Sequence, residues 1–183
     1  GRSYDALGRS AEALEDFETG LRLRPDYDPV YAQIATLYYE AGRPADAAVF
    51  YRGAYESEPE RQALMLTAAL ASKAAGRDAD AEELLNENIG SLPRESLIYD
   101  VARYYLLPTN DGYILQQIRQ EESSTLKGRM YFYVGAQLEL IGRPDTARAA
   151  LLEAEDNLPV GFLERRLASW HLDSYRSGDG TDD

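Results

Sequence analysis

The chain has 183 residues and a formal net charge of −13, from 32 acidic and 19 basic side chains. That balance argues against a nucleic-acid surface, which needs clustered Lys and Arg. A sequence without Cys excludes disulfides, thiol chemistry and cysteine-ligated zinc. A hydrophobic fraction of 44% suits a chain that buries a core, and no apolar run approaches the ~20 residues of a membrane-spanning helix. Lys73 and Lys127 are the only lysines beside 17 Arg. GC-rich coding and halophilic surface chemistry would each produce that bias.

Periodicity sets the elements in chain order. Gly8, Gly42 and Gly76 are spaced by 34 residues, and Gly142 restarts the pattern 66 residues later, two short of two periods. Five positions after each Gly stands Ala: Ala13, Ala47, Ala81 and Ala147. A large residue follows one helical turn on, at Phe17, Tyr51, Leu85 and Leu151, and a Pro closes each unit at Pro25, Pro59, Pro93 and Pro159. The physics is a pair of antiparallel helices. Gly ends the first helix in a left-handed turn, Ala permits close approach, the large residue fills the gap and Pro stops the second helix.

The first unit has a short helix over residues 1–7 and another over 10–23. The following pairs are 29–41 with 44–57, 60–75 with 79–89, and 125–141 with 144–157. Between the last two lies an irregular pair, 94–107 with 111–122, whose turn at 107–112 is expected to bend the array. A final helix spans 161–175. Ser10 and Asp78 suit caps, and Pro44 and Pro144 suit first helical turns. The units run over about 1–27, 28–61, 62–94, 95–126 and 127–160, with a cap at 161–176. An acidic disordered tail is expected at 177–183. Asp179, Asp182 and Asp183 there lack the loop spacing of a calcium site. The first unit lacks the front of its first helix and the sequence has no initiator Met. The expectation is a fragment of a longer precursor, with any signal peptide or lipid anchor upstream.

The 34-residue pattern resembles the tetratricopeptide repeat. The resemblance implies an all-α right-handed superhelix, an α-solenoid of about five helix–turn–helix units with a capping helix. A narrower likeness rests on Tyr4-Asp5-Ala6-Leu7-Gly8, Asp16-Phe17 and Arg24-Pro25-Asp26. It continues in Tyr131-Phe132-Tyr133-Val134-Gly135, Gly142 and Phe162-Leu163-Glu164-Arg165-Arg166, and the stretch from Val101 to Leu115 is similar to an irregular middle. These residues resemble the NlpI-type bacterial lipoproteins, with about one helical pair fewer. That resemblance implies a lipid-anchored periplasmic adaptor recruiting proteases or cell-wall hydrolases. A cytoplasmic location is the alternative.

No enzyme is legible in the residues. His171 is the single imidazole and reads as an ordinary surface or core-edge histidine. Glu82-Glu83 and Glu121-Glu122 point about 100° apart on a helix and do not converge. No phosphate loop, cofactor site or metal site is expected.

In a stacked array the first helices line the concave side. The partner-binding candidates are therefore Thr36, Tyr39, Glu40, Leu66, Leu70, Lys73, Asp100, Tyr104, Arg129, Phe132, Arg166 and Trp170. A carboxylate clamp of the kind some tetratricopeptide domains use for a chaperone tail is not expected, because the matching positions hold Ala32, Thr36, Ala63 and Thr67. The apolar members suit an extended or helical peptide with apolar anchors, or a helix of a second copy, which would make a homodimer. The acidic excess favours a basic partner, mainly through encounter rate. Of the 14 Tyr, Tyr4, Tyr31, Tyr38, Tyr51, Tyr55, Tyr99 and Tyr131 fall on packing positions. Tyr39, Tyr104 and Tyr133 divide between core and exposed anchors. The function expected is a non-catalytic adaptor for a protein or peptide partner. The alternatives are a structural subunit of a larger complex and a helical part of a protein whose catalytic domain lies elsewhere.

Overall fold

The computed structural model describes residues 2–24 and 30–178. Among them are ten α-helices, short 3-10 segments and no strand. The chain divides into two units, residues 1–81 and 82–183. The first holds α1 (Arg2–Leu23), α2 (Tyr31–Glu40), α3 (Pro44–Ser57), α4 (Ala63–Ala74) and the start of α5 (Asp78–Asn88). The second holds the rest of α5, the 3-10 turn Ile89–Ser91, α6 (Leu97–Leu106), α7 (Asp111–Gln120), α8 (Ser124–Leu140), α9 (Pro144–Asn157) and α10 (Leu163–Gly178).

One turn is built three times. Gly42, Gly76 and Gly142 have φ of 72°, 72° and 79°. In each case the Gly N–H and the following Arg N–H reach back to close the preceding helix. Arg43 N–H donates to the Tyr38 carbonyl at 2.8 Å, Arg77 to Ser72 at 2.8 Å and Arg143 to Leu138 at 2.9 Å. This is the Schellman closure, and Gly takes its left-handed position because it has no Cβ to clash. Pro44 and Pro144 then occupy the first helical turn, where a missing N–H costs nothing.

Gly8 does not follow suit. It lies inside α1, which is continuous from Arg2 to Leu23, so the expected break after residue 7 is corrected, and Ser10 is helical and not a cap. Other boundaries shift as well. α4 starts at Ala63 and not at residue 60, because residues 58–61 form a turn closed by Arg61 N–H to the Glu58 carbonyl at 2.9 Å. α6 starts at Leu97 and not at residue 94, because Ser96 caps it by accepting the Tyr99 N–H at 3.3 Å. Asp78 is the first helical residue of α5, where its charge suits the helix dipole. α10 begins after Gly161, with φ of 103°, and runs on to Gly178, so Ser177 and Gly178 are helical and not tail. Pro25, Pro29 and Asp179, Asp182 and Asp183 lie outside the described residues.

In the first unit, α3 packs on both α2 and α4. Ala47 and Tyr51 of α3 are fully buried, the small residue and the large one that the repeat requires. Phe50 stacks on Tyr38 and meets Tyr31 edge-on, each at 5.5 Å. In the second unit, α8 is the core. It packs on α6, α7, α9 and α10, and residues 130–138 are all buried. Gly128 lets α8 approach the end of α9, since a Cβ there would stand 2.6 Å from Leu158 Cγ. Tyr105 of α6 donates its hydroxyl to the Tyr133 carbonyl at 2.7 Å, tying α6 to α8.

Candidate functional site

The twelve candidates divide sharply by burial. Thr36, Tyr39, Leu66, Leu70, Tyr104 and Phe132 are all at most 5% exposed. Side chains this buried offer a partner almost no contact area, so the expectation of an exposed apolar groove built from these residues is corrected. The cause is visible in the helices that carry them. Residues 64–72 of α4 and 130–138 of α8 contain no charged side chain and are buried on every face, as a helix without a polar stripe must be. Thr36 is satisfied internally: its hydroxyl bonds the Ala32 carbonyl at 2.7 Å and lies 2.9 Å from the Tyr51 hydroxyl.

The remaining candidates keep accessible surface. Glu40, Asp100 and Arg129 are half-buried, the Lys73 side chain is 10% exposed, and Arg166 and Trp170 are exposed. Lys73 pairs with Asp78 at 3.4 Å across the Gly76 turn. Trp170 stands edge-on to His171, with centroids 5.1 Å apart. His171 is itself buried, with Nδ1 2.5 Å from a carboxylate oxygen of Glu139.

Three tyrosines share one device. The Tyr38 hydroxyl donates to Glu18 at 2.7 Å, that of Tyr104 to Asp111 at 2.7 Å, and that of Tyr175 to Glu139. Burial first, then the neighbouring carboxylate, pushes the phenols of Tyr38 and Tyr175 up to about 12 and moves that of Tyr104 in the same direction. These hydroxyls stay protonated and act as donors that lock helices. With Tyr133, which is fully buried, Tyr39 and Tyr104 belong to the core and not to an exposed recognition surface.

The second unit has an accessible concavity of about 290 Å³ between α6 and α7. Two of the candidates, Asp100 and Tyr104, line it. The sequence explains its shape locally. Pro108 forbids its predecessor a helical conformation, so Leu107 is extended, with φ −140° and ψ 91°. Its side chain is consequently 65% exposed. Asn110 then takes a left-handed conformation, φ 61°, and caps α7 by accepting the Tyr113 N–H at 3.2 Å. Tyr113, 51% exposed, forms a second apolar wall with Ile114. The Tyr104–Asp111 bond fixes α7 against α6, and Arg143 bonds the other Asp111 oxygen.

The polar edge holds Asp100 and, one turn on, Arg103. Burial holds the Asp100 carboxyl above the ordinary carboxylate range, opposed by the Arg103 charge. The arrangement can seat an apolar side chain between Leu107 and Tyr113 and pair a polar group at Asp100 or Arg103. Leu107 and Tyr113 were not among the sequence candidates. The signal for them was Pro108 and the Asn110-Asp111-Gly112 run, which predicted the turn but not the surface it exposes.

Among the described residues there is no group of three or more His, Cys, Asp or Glu that could hold a metal ion. No described helix is long and apolar enough to cross a membrane. The family model described as tetratricopeptide repeat matches residues 1–27. The match ends where the sequence period closes its first unit, and the Gly42, Gly76 and Gly142 turns repeat the unit's punctuation downstream. Together they support the tetratricopeptide repeat family for this chain.

Proposed function

We propose that this chain is a protein-interaction adaptor that captures a partner segment in the α6–α7 concavity. The helical repeat fits such a role, since repeats of this family generally act as non-catalytic scaffolds. The observation that supports the location is the pair of exposed apolar side chains, Leu107 and Tyr113, flanking a concavity with the charged groups Asp100 and Arg103 at its edge. Large apolar side chains on both sides of a recess are anchors for a peptide side chain. Asp100, Tyr104, Arg129, Arg166 and Trp170 remain proposed contributors, the buried ones as supports and the accessible ones as contacts. In the first unit Glu40 and Lys73 are the accessible candidates. The narrower reading is an NlpI-type envelope adaptor recruiting proteases or cell-wall hydrolases, with a periplasmic location. It rests on residue resemblance alone.

Site-specific photo-cross-linking tests the location. A benzophenone amino acid at Leu107 or Tyr113, in cells that make the protein, is expected to trap a discrete protein adduct. The same group at Leu152, exposed on α9, is expected to trap none. Equal labelling at all three positions, or none at Leu107 and Tyr113, sinks the assignment.

A further inference from the structure

One row of side chains sets the long axis of the α6–α7 concavity. Asp100, Arg103, Tyr104 and Leu107 all line it. Spacings of three and four residues place the first three on one stripe of α6, and Leu107 closes the row where the helix ends. From Asp100 to Leu107 is about 10 Å at 1.5 Å per residue. One end of the row is acidic. The other is apolar, where Leu107 and Tyr113 are 65% and 51% exposed. Between them Tyr104 is buried and its hydroxyl is committed to Asp111 at 2.7 Å. Arg103 is the exposed charge in the middle.

If this concavity is the capture site, as proposed above, its chemistry names the class of ligand. We infer that it takes an extended basic segment of a partner protein, with an aliphatic or aromatic residue against Leu107 and Tyr113 and a Lys or Arg at Asp100. Three residues of extended chain span about 10 Å, the length of the row, so the two anchors of the ligand stand about three residues apart.

The sign of the charge follows from Asp100 and from the chain as a whole. Asp100 is half-buried. Its burial outweighs the opposing charge of Arg103, which leaves its carboxyl above the ordinary range. A second cation would complete the compensation that Arg103 begins. The net charge of −13 draws a basic segment toward the surface and raises its encounter rate. Arg103 fixes the register, since it repels a cation from the middle of the row and confines it to the Asp100 end. An acidic segment would gain Arg103 but meet Asp100 one turn away, against the acidic excess of the whole chain.

Selection of random dodecapeptides displayed on phage, against the full immobilised chain, tests this. Peptides held by the unaltered chain and lost by the chain with Leu107→Ser and Tyr113→Ser are those that occupy the concavity. Among them, a Lys or Arg about three residues from an aliphatic or aromatic residue is expected to be enriched. Fluorescence anisotropy of one such peptide then reads the charge. Asp100→Lys is expected to weaken its binding about tenfold, by setting like charges together. Asp100→Asn keeps the shape of the side chain and is expected to weaken binding about threefold, the scale of one accessible ion pair. Glu in place of the peptide's basic residue is expected to restore binding to the Asp100→Lys chain. Concavity peptides that lack a basic residue, or that ignore both Asp100 changes, overturn the basic ligand and leave the capture site standing. A selection in which no peptide distinguishes the chain from its Leu107→Ser, Tyr113→Ser variant overturns the capture site, and the ligand with it.

Discussion

Phe132→Ala is expected to lower the unfolding free energy by about 3–5 kcal/mol, the cost of emptying a large buried site. Phe132 is fully buried in α8, the helix on which four others pack. Its ring meets Tyr133 at 5.1 Å and His171 at 6.1 Å, both edge-on. Removal strips those contacts, and the surrounding helices cannot close the gap without moving α8. A denaturant titration followed by helix signal checks the figure. The groove reading of this residue predicts the reverse. An exposed anchor would cost less than about 0.5 kcal/mol of stability and show its whole effect in partner binding. A small stability loss with abolished capture would return Phe132 to the surface.

Arg129→Ala is the second large effect, expected at about 2 kcal/mol. Its partner Glu164 is 2% exposed. One Glu164 oxygen accepts the Tyr133 hydroxyl at 3.0 Å and lies 3.3 Å from Arg129 Nε. The other has no hydrogen-bond partner, and neither has Arg129 Nε. The guanidinium also sits over the Phe162 ring, 5.5 Å from its centroid. Removing Arg129 would leave a buried carboxylate with one neutral donor. The figure is set below that of a fully buried pair because the Arg129 side chain is 38% exposed and water screens it. Glu164→Gln in the Arg129→Ala background is expected to recover part of the loss, since an amide oxygen still accepts from Tyr133 without carrying charge. Additive losses from the two changes would show that the charges do not interact.

What could be read from the residues depended on local punctuation. α3 and α9 run over the residues expected of them, because Gly-Arg-Pro marks both starts at Gly42-Arg43-Pro44 and Gly142-Arg143-Pro144. Gly8 carries the same residue type without the same outcome. A turn glycine permits a reversal, and only packing of the reversed helix makes it favourable. Ser96 shortened α6 through a cap that repeat spacing does not register.

The site was less legible. Repeat register gives the face of a first helix but not whether another helix covers it. The uncharged runs 64–72 and 130–138 held that information, and they place Leu66, Leu70 and Phe132 in the core. Leu107 and Tyr113 owe their exposure to backbone events, an extended residue before Pro108 and a left-handed Asn110. Periodicity has no access to either.

Amide hydrogen exchange, with and without the partner trapped at Tyr113, tests capture at α6–α7 most directly. The slowest amides of the free chain should fall within residues 130–138, where opening requires the second unit to unfold. Partner binding should slow exchange over residues 100–114 and leave 64–72 and 130–138 as they were. Slowing confined to α4 or α8, with 100–114 unchanged, would contradict the assignment and put the partner on the helices now read as core.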